Sequence, residues 1–222
     1  MKTRRILLLA LWCAGQVVAA EPEVRTPAAG GAVEKLLFHT DWKGERIALP
    51  PTFAPTMKLK GIEEIRFAPG MFRAQADSFF SYAFVFSVAK EQELTEEVIQ
   101  REMITYYRGL SESVSRGKGQ TADTSKFTFA MKRSKQAEGV PAQVGDAAQV
   151  AQYTGDLAWV EPFATGKEQV LHFELQAWSA ARTGRNYLFV CVSPKPSGDN
   201  AAIWTELRKL RRSFEFVAMP GN

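Results

Sequence analysis

The stretch that decides the fold is Asp77 to Val88, which reads DSFFSYAFVFSV. Aromatic residues recur there at every second position, in the order Phe80, Tyr82, Phe84 and Phe86. The positions between and before them are Phe79, Ser81, Ala83 and Val85. Because successive side chains of a β-strand point to opposite sides, the pattern predicts a strand with four rings on one face. Such a face needs a thick partner layer.

A helix directly downstream is the predicted partner layer. The segment from Leu94 to Arg116 carries apolar residues at helical spacing, and Thr95 is a suitable N-cap. Glu96 and Glu97 lie in the first turn, where the helix dipole favours acidic side chains, and Gly117 follows the segment. We therefore predict that the Phe-rich strand is central and packs beneath this helix.

Shorter apolar segments predict the remaining strands. Those before the Phe-rich strand are Lys35 to Thr40, Glu45 to Leu49 and Gly61 to Ala68. Those after the helix are Lys126 to Arg133, Ala147 to Tyr153, Leu157 to Pro162, Gln169 to Ser179 and Asn186 to Ser193. Within the third segment, Glu64 and Arg66 alternate with apolar residues, which predicts one wet face. Short Gly-containing links such as Thr154-Gly155-Asp156 predict hairpin turns and an antiparallel sheet.

A second helix is predicted near the C-terminus. Its apolar residues at helical spacing are Ile203, Leu207, Leu210 and Phe214. Ser197 or Asp199 is expected to cap it, and basic residues from Arg208 to Arg212 crowd its C-terminal end, where cations complement the dipole. The predicted class is α+β, a mainly antiparallel β-sheet packed with two principal α-helices. An α/β/α sandwich is one arrangement that fits this set of elements.

The N-terminal residues have the pattern of a secretory signal peptide. A basic region with Lys2, Arg4 and Arg5 precedes the short apolar run from Ile6 to Trp12, and Val18-Ala19-Ala20 offers a cleavage site. The apolar run is too short for a membrane anchor. A lipoprotein would use Cys13, but the preceding residue is a bulky Trp instead of a small one. We therefore predict export to the bacterial periplasm, ahead of secretion into the medium.

These features divide the chain into four predicted parts. They are a signal peptide at residues 1–20, a flexible Pro-, Ala- and Gly-rich leader at 21–34, one α+β domain at 35–217 and a tail at 218–222. Removal of the signal peptide would leave 25 basic and 24 acidic residues, a formal charge of +1. That balance predicts no nucleic-acid partner and gives little general attraction to anionic membranes. The remaining Cys191 has no partner for an intramolecular disulfide.

The C-terminal segment resembles the end of PsbP-like domains. It combines the strand YLFVCV, a Pro-containing turn, a helix carrying Ile203 and Trp204, and the sequence RSFEF. The resemblance covers residues 186–217 and carries no functional residue. It implies an antiparallel sheet sandwiched between helices, and an accessory or binding role. The chain also resembles small exported bacterial proteins of unassigned function.

Most catalytic and metal-binding patterns are missing from the sequence. It contains no Cys-x-x-Cys, no His-Glu-x-x-His, no Gly-x-Ser-x-Gly and no complete phosphate-binding loop, so we predict no metal, no cofactor and no catalytic residue. Cys191 lies in an apolar strand, which favours a buried, unreactive thiol. The sequence favours a non-catalytic protein over an enzyme.

The predicted binding residues come from the later hairpins. On the third meander strand His172, Glu174 and Trp178 alternate with apolar residues, and Trp159 and Arg185 lie in neighbouring segments. If no helix covers this face, aromatic and polar groups there would bind a partner protein or a small ligand. The alternative for the tryptophans is packing beneath a loop or the second helix. Two other hypotheses are a periplasmic enzyme using His172 and Glu174 as acid and base, and a peripheral membrane protein using its basic C-terminal helix.

Overall fold

The computed structural model describes residues 34–134, 139–141, 144, 149–198 and 201–218. The strands in these residues are β1 (Glu34–Leu37), β2 (Gly44–Leu49), β3 (Gly61–Phe67), β4 (Tyr82–Ala89), β5 (Thr128–Arg133), β6 (Ala151–Val160), β7 (Glu168–Ala180), β8 (Arg185–Ser193) and β9 (Glu215–Ala218). The helices are α1 (Glu96–Gly117) and α2 (Ala202–Arg212).

Seven strands form one antiparallel sheet in the order β2-β3-β4-β8-β7-β6-β5. Strands β1 and β9 pair with each other in a separate two-stranded ribbon. The predicted α+β class is therefore confirmed. The order places β4 and β8 side by side near the middle of the sheet, so the Phe-rich strand is central, as predicted.

The aromatic face of β4 packs beneath α1, as the sequence predicted. Phe84 and Phe86 are fully buried, and the Phe84 ring lies parallel to that of Tyr106 with a centroid distance of 6.1 Å. Thr95 caps α1 by accepting a hydrogen bond from the amide of Val98. The strand itself begins at Tyr82, later than predicted, because the preceding residues form turns.

The opposite face of the sheet is covered in part by α2 and in part by the β1–β9 ribbon. Ala83 and Val85 of β4 pack there with Leu207 and Phe214. Cys191 is fully buried on this side, and burial raises the pKa of its thiol to about 12. The predicted burial of the cysteine is confirmed. Helices α1 and α2 therefore lie on opposite faces of the sheet.

Strand β6 corrects the predicted turn at Thr154-Gly155-Asp156. The backbone continues as a strand through these residues, which pair with Glu174, Phe173 and His172 of β7. Gly155 is required by packing: a Cβ atom there would lie 2.9 Å from the ring of Phe129 on β5. The glycine thus marks a close approach of two strands instead of a reversal of the chain.

Strand β3 has no wet face, contrary to the prediction. Glu64 is buried on the α2 side and pairs with Arg66 at 2.8 Å and with Arg46 at 3.2 Å. The two arginines neutralise the carboxylate inside the protein. The alternation of polar and apolar residues along one strand does not reveal such partners. The first two strands do not pair with each other, because β1 pairs with β9 and β2 with β3.

The N-terminal end of α2 lacks the predicted side-chain cap. Its N-cap is Ala201, which makes no side-chain cap hydrogen bond, so Ser197 does not cap the helix. The alternative cap, Asp199, lies outside the described residues, as do the predicted signal peptide and most of the predicted leader and tail. Among the residues that the structure describes, no helix has the length and apolar character that crossing a bilayer requires.

Candidate functional site

Part of the α2 side of the sheet is left exposed, at β5, β6 and the first half of β7. We call this region the open face, and its residues are Thr128, Ala130, Lys132, Thr154, Asp156, Ala158, Val160, Glu168, Val170 and His172. Val160 is 36% exposed and Val170 is 45% exposed. The sequence hypothesis of a sheet face without a full helical cover therefore applies to this region.

His172 and Asp156 form a pair in the middle of the open face. They are direct cross-strand partners of β7 and β6, and Nδ1 of His172 lies 2.7 Å from Oδ1 of Asp156. The side chain of His172 is 24% exposed, while that of Asp156 is 64% exposed. A carboxylate that accepts from Nδ1 holds the imidazole in the tautomer whose Nε2 is a lone-pair acceptor, and leaves Nε2 for a ligand. No described residue makes a hydrogen bond to Nε2.

Glu174 lies next along β7 and is occupied by two arginines of α2. Arg208 donates to Oε1 of Glu174 through Nη2 at 2.6 Å and through Nε at 3.1 Å. Arg211 donates to Oε2 through Nη1 at 3.0 Å. These charge-assisted hydrogen bonds join α2 to the sheet. Glu174 is therefore an anchor for the second helix, and Asp156 is the carboxylate that pairs with His172.

A cleft of about 460 Å³ follows the boundary between the open face and the loop after β8. Its floor includes Thr154, Asp156 and His172, and the loop residues Ser197 and Gly198 form one side. The backbone carbonyl of Ser197 accepts a hydrogen bond from Arg208 at 2.8 Å, so the loop is held by the same arginine that binds Glu174. The cleft therefore has a rigid sheet as its floor and a tethered loop as one wall.

The two tryptophans that the sequence singled out lie on opposite faces of the sheet. Trp178 is buried beneath the β1–β9 ribbon, stacked on Tyr187 at a centroid distance of 5.4 Å. Trp159 is buried on the α1 side, where its indole nitrogen donates to Gln169 at 3.1 Å. Neither ring reaches the open face. Both tryptophans are therefore packing residues, which was the alternative to a binding role.

Arg185 belongs to a different cluster, at the far end of β7 and β8. Its guanidinium lies 2.7 Å from Glu34 and donates to the backbone carbonyl of Ser87 at 2.8 Å. Tyr187 also donates a hydrogen bond to Glu34. The cluster fastens β1 to the sheet. Of the five predicted binding residues, only His172 lies on the open face, with Glu174 bordering it.

Asp156 and Lys132 are the site residues that sequence reasoning missed. Asp156 was assigned to a turn, although Tyr153, Leu157 and Trp159 alternate with polar or small residues across the supposed turn. Extending that alternation would have placed Asp156 on a strand, but its pairing with His172 also needs the register of two strands. No group of three or more potential metal ligands occurs among the described residues.

The chain was compared with protein-family models, with curated proteins and with solved structures, and none of these comparisons gives a match. The resemblance of residues 186–217 to PsbP-like domains therefore remains a prediction.

Proposed function

We propose that this chain is an exported, non-catalytic protein that binds a partner protein or a small ligand at its open face. The observation that carries the proposal is an exposed sheet surface with apolar residues beside a structured polar pair. An antiparallel sheet often keeps one face in water, but that face is then typically polar. Here the exposed Val160 and Val170 lie on the same face as His172 and Asp156, beyond the cleft that those two polar residues line.

Export is the second part of the proposal and is supported by the sequence alone. The basic region, the short apolar run and the small residues before Glu21 are typical of a bacterial signal peptide. A periplasmic address is favoured over secretion into the medium. The partner would then be another exported protein or a small molecule of the cell envelope.

The binding surface is tested by a thermal-shift screen of a metabolite library against the purified protein. We expect compounds that raise the Tm of the wild type to lose this effect in Val170→Asp, because a carboxylate would then stand in the apolar part of the open face. Val217→Asp is the matched control, since Val217 is a 38% exposed valine on the distant strand β9. Compounds that stabilise Val170→Asp as well as the wild type would contradict the proposal.

Trp178→Ala is a poor test of binding, although the sequence alone recommends it. Trp178 is 4% exposed, so its removal would leave a cavity in the core. Loss of a large buried aromatic side chain costs about 3–5 kcal/mol of stability. A loss of binding in that variant would therefore report unfolding rather than contact with a ligand.

A second candidate function is acid–base catalysis at His172. The observation in its favour is the 2.7 Å contact between His172 and Asp156, because a carboxylate-oriented imidazole is the usual arrangement of a general base. Glu174 no longer belongs to this hypothesis, since Arg208 and Arg211 occupy its carboxylate.

The catalytic candidate is tested by screening hydrolase substrates with the wild type, His172→Ala and Asp156→Asn. If His172 is the base, its removal should lower the rate by about 10²–10⁴-fold. His39→Ala is the control, since His39 is exposed and pairs with Glu215 on another part of the surface. An activity that survives His172→Ala would eliminate this site, and a wild type without turnover would leave the binding function.

A membrane-surface role receives less support than binding at the open face. Of the four basic residues near the end of α2, Arg208 and Arg211 direct their guanidinium groups to Glu174. Lys209 and Arg212 are exposed. The basic end of the helix thus serves partly to attach α2 to the sheet.

A further inference from the structure

The open face has a polar end and an apolar end. The polar end, within the cleft, carries Lys132, Thr154 and His172. The apolar end, beyond the cleft, carries Ala158, Val160 and Val170, and the exposed Glu168 opposite Val160 closes it. Both ends lie on the same side of the same three strands, and strand pairing places Ala158 directly opposite Val170. One ligand could therefore contact both ends along the strand direction.

The polar end holds hydrogen-bonding groups that no described residue binds. Lys132 is exposed, and within the described residues its ammonium group forms no ion pair or hydrogen bond. The same holds for the hydroxyl of Thr154, which is half-buried in the cleft floor. Nδ1 of His172 contacts the carboxylate of Asp156, and Nε2 makes no hydrogen bond to a described residue. The ammonium group and the hydroxyl are hydrogen-bond donors, and donors of this kind match the oxygen atoms of an anionic head group.

The charges around the cleft also favour an anion. The cations are Lys132, Arg208 and Arg211, and the carboxylates are Asp156 and Glu174. Glu174 is shared by two arginines, and Asp156 is paired with His172, which adds a positive charge when it is protonated. Three cations therefore face two carboxylates that already have partners. Among the described residues that line the cleft no carboxylate is unpaired, whereas Lys132 is available to an anion. The exposed carboxylate of Glu168 lies outside the cleft, opposite Val160 at the far end of the open face.

We propose that the open face binds a small amphiphilic carboxylate, with its head group at the polar end and its apolar tail along the apolar end. This inference rests on the proposed binding function and narrows it to one class of ligand. The apolar end is too shallow to enclose a tail, since Val160 and Val170 remain exposed on the sheet surface. Selection between ligands should therefore come mainly from the head group.

The test is an NMR titration of the isotope-labelled protein with octanoate, octan-1-ol and acetate. Octanoate carries both parts of the proposed ligand, octan-1-ol carries the tail without the charge, and acetate carries the charge without the tail. We expect octanoate to shift the amides of Val170 and His172 and to bind at least fivefold more tightly than either single-feature probe. Lys132→Met should weaken octanoate about fivefold, the effect of losing one exposed charge pair. Lys90→Met, an exposed lysine at the end of β4, should leave it unchanged.

The outcomes separate this inference from the function on which it rests. If octan-1-ol shifts the same amides with equal affinity, or if Lys132→Met has no effect, the face binds ligands without selecting a carboxylate and the inference is wrong. The proposed function would survive that result. If octanoate shifts amides elsewhere, the inference is also wrong, and the library screen with Val170→Asp then decides separately whether the open face binds anything.

Discussion

Glu63 is a carboxyl group enclosed in the core beneath α1. Its side chain is fully buried, and the hydroxyl of Tyr106 donates to Oε1 at 3.0 Å. Oε2 has no hydrogen-bond partner among the described residues. Burial raises the pKa of Glu63 from its ordinary 4.5 to about 8, and the charge of Glu45 on the neighbouring strand acts in the same direction. The group is therefore protonated in the folded protein at neutral pH.

This raised pKa makes the stability of the protein depend on pH. The folded protein keeps a proton that the unfolded chain releases, so the contribution of Glu63 to stability is greatest below pH 4.5 and falls as the pH rises towards 8. We expect the free energy of unfolding to fall relative to that of Glu63→Gln by up to about 1.4 kcal/mol per pH unit in that window. Urea denaturation at several pH values measures the difference.

Glu168→Gln is the control for this pH dependence, because Glu168 is exposed at the start of β7. Its curve of stability against pH should run parallel to that of the wild type. Parallel curves for the wild type and Glu63→Gln would show that Glu63 does not hold its proton in the folded state.

Strand β6 shows why the site was harder to predict than the fold. The sequence TGD has the composition of a tight turn, and turn propensity alone predicts that the strand stops there. In the folded protein Gly155 faces the ring of Phe129, so its missing side chain makes room for β5. Local composition cannot distinguish a glycine chosen for backbone freedom from one chosen for close packing.

Gly155→Ala should therefore destabilise the sheet edge. The added Cβ would lie 2.9 Å from the Phe129 ring and 3.2 Å from the carbonyl oxygen of Ala130, and overpacking of this kind costs about 1–3 kcal/mol. Chemical denaturation measures the loss. Gly117→Ala at the end of α1 is the matched control, because the added Cβ would meet nothing within 4 Å apart from its chain neighbours and the helix backbone, and alanine favours a helix. A Gly155→Ala variant as stable as the wild type would argue against tight packing between β5 and β6.

At the scale of the whole molecule, the helices and most strands could be predicted because their apolar periods are local. The cap of α1 at Thr95 and the aromatic face around Phe84 were predicted from adjacent residues and are confirmed. Strand order, by contrast, depends on contacts between distant segments. The site was only partly predicted for the same reason. The sequence identifies His172 as a polar residue on a strand, but Asp156 becomes its partner only through the register between β6 and β7.

Long-range ion pairs hold the second layer on the sheet and could not be predicted either. Glu174 of β7 binds Arg208 and Arg211 of α2, more than 30 residues later in the chain. The sequence explained those arginines by the helix dipole, which accounts for their position at the helix end but not for their partner. The polar cluster also borders the cleft, so the attachment of α2 and the shape of the candidate site depend on the same side chains.

The adjacency of β4 and β8 has a consequence for how the chain reaches this fold. The strands from β2 to β4 form one local meander and those from β5 to β8 form another, and the sheet becomes continuous only where β4 meets β8. Phe84 faces Val190 across this seam, so its contacts join residues about a hundred positions apart. Closing so long a loop lowers the conformational entropy of the chain before the stabilising contacts have formed. We therefore expect the meeting of the two meanders to set the rate of folding, so a truncating substitution at this seam should lower the refolding rate measured by stopped-flow fluorescence.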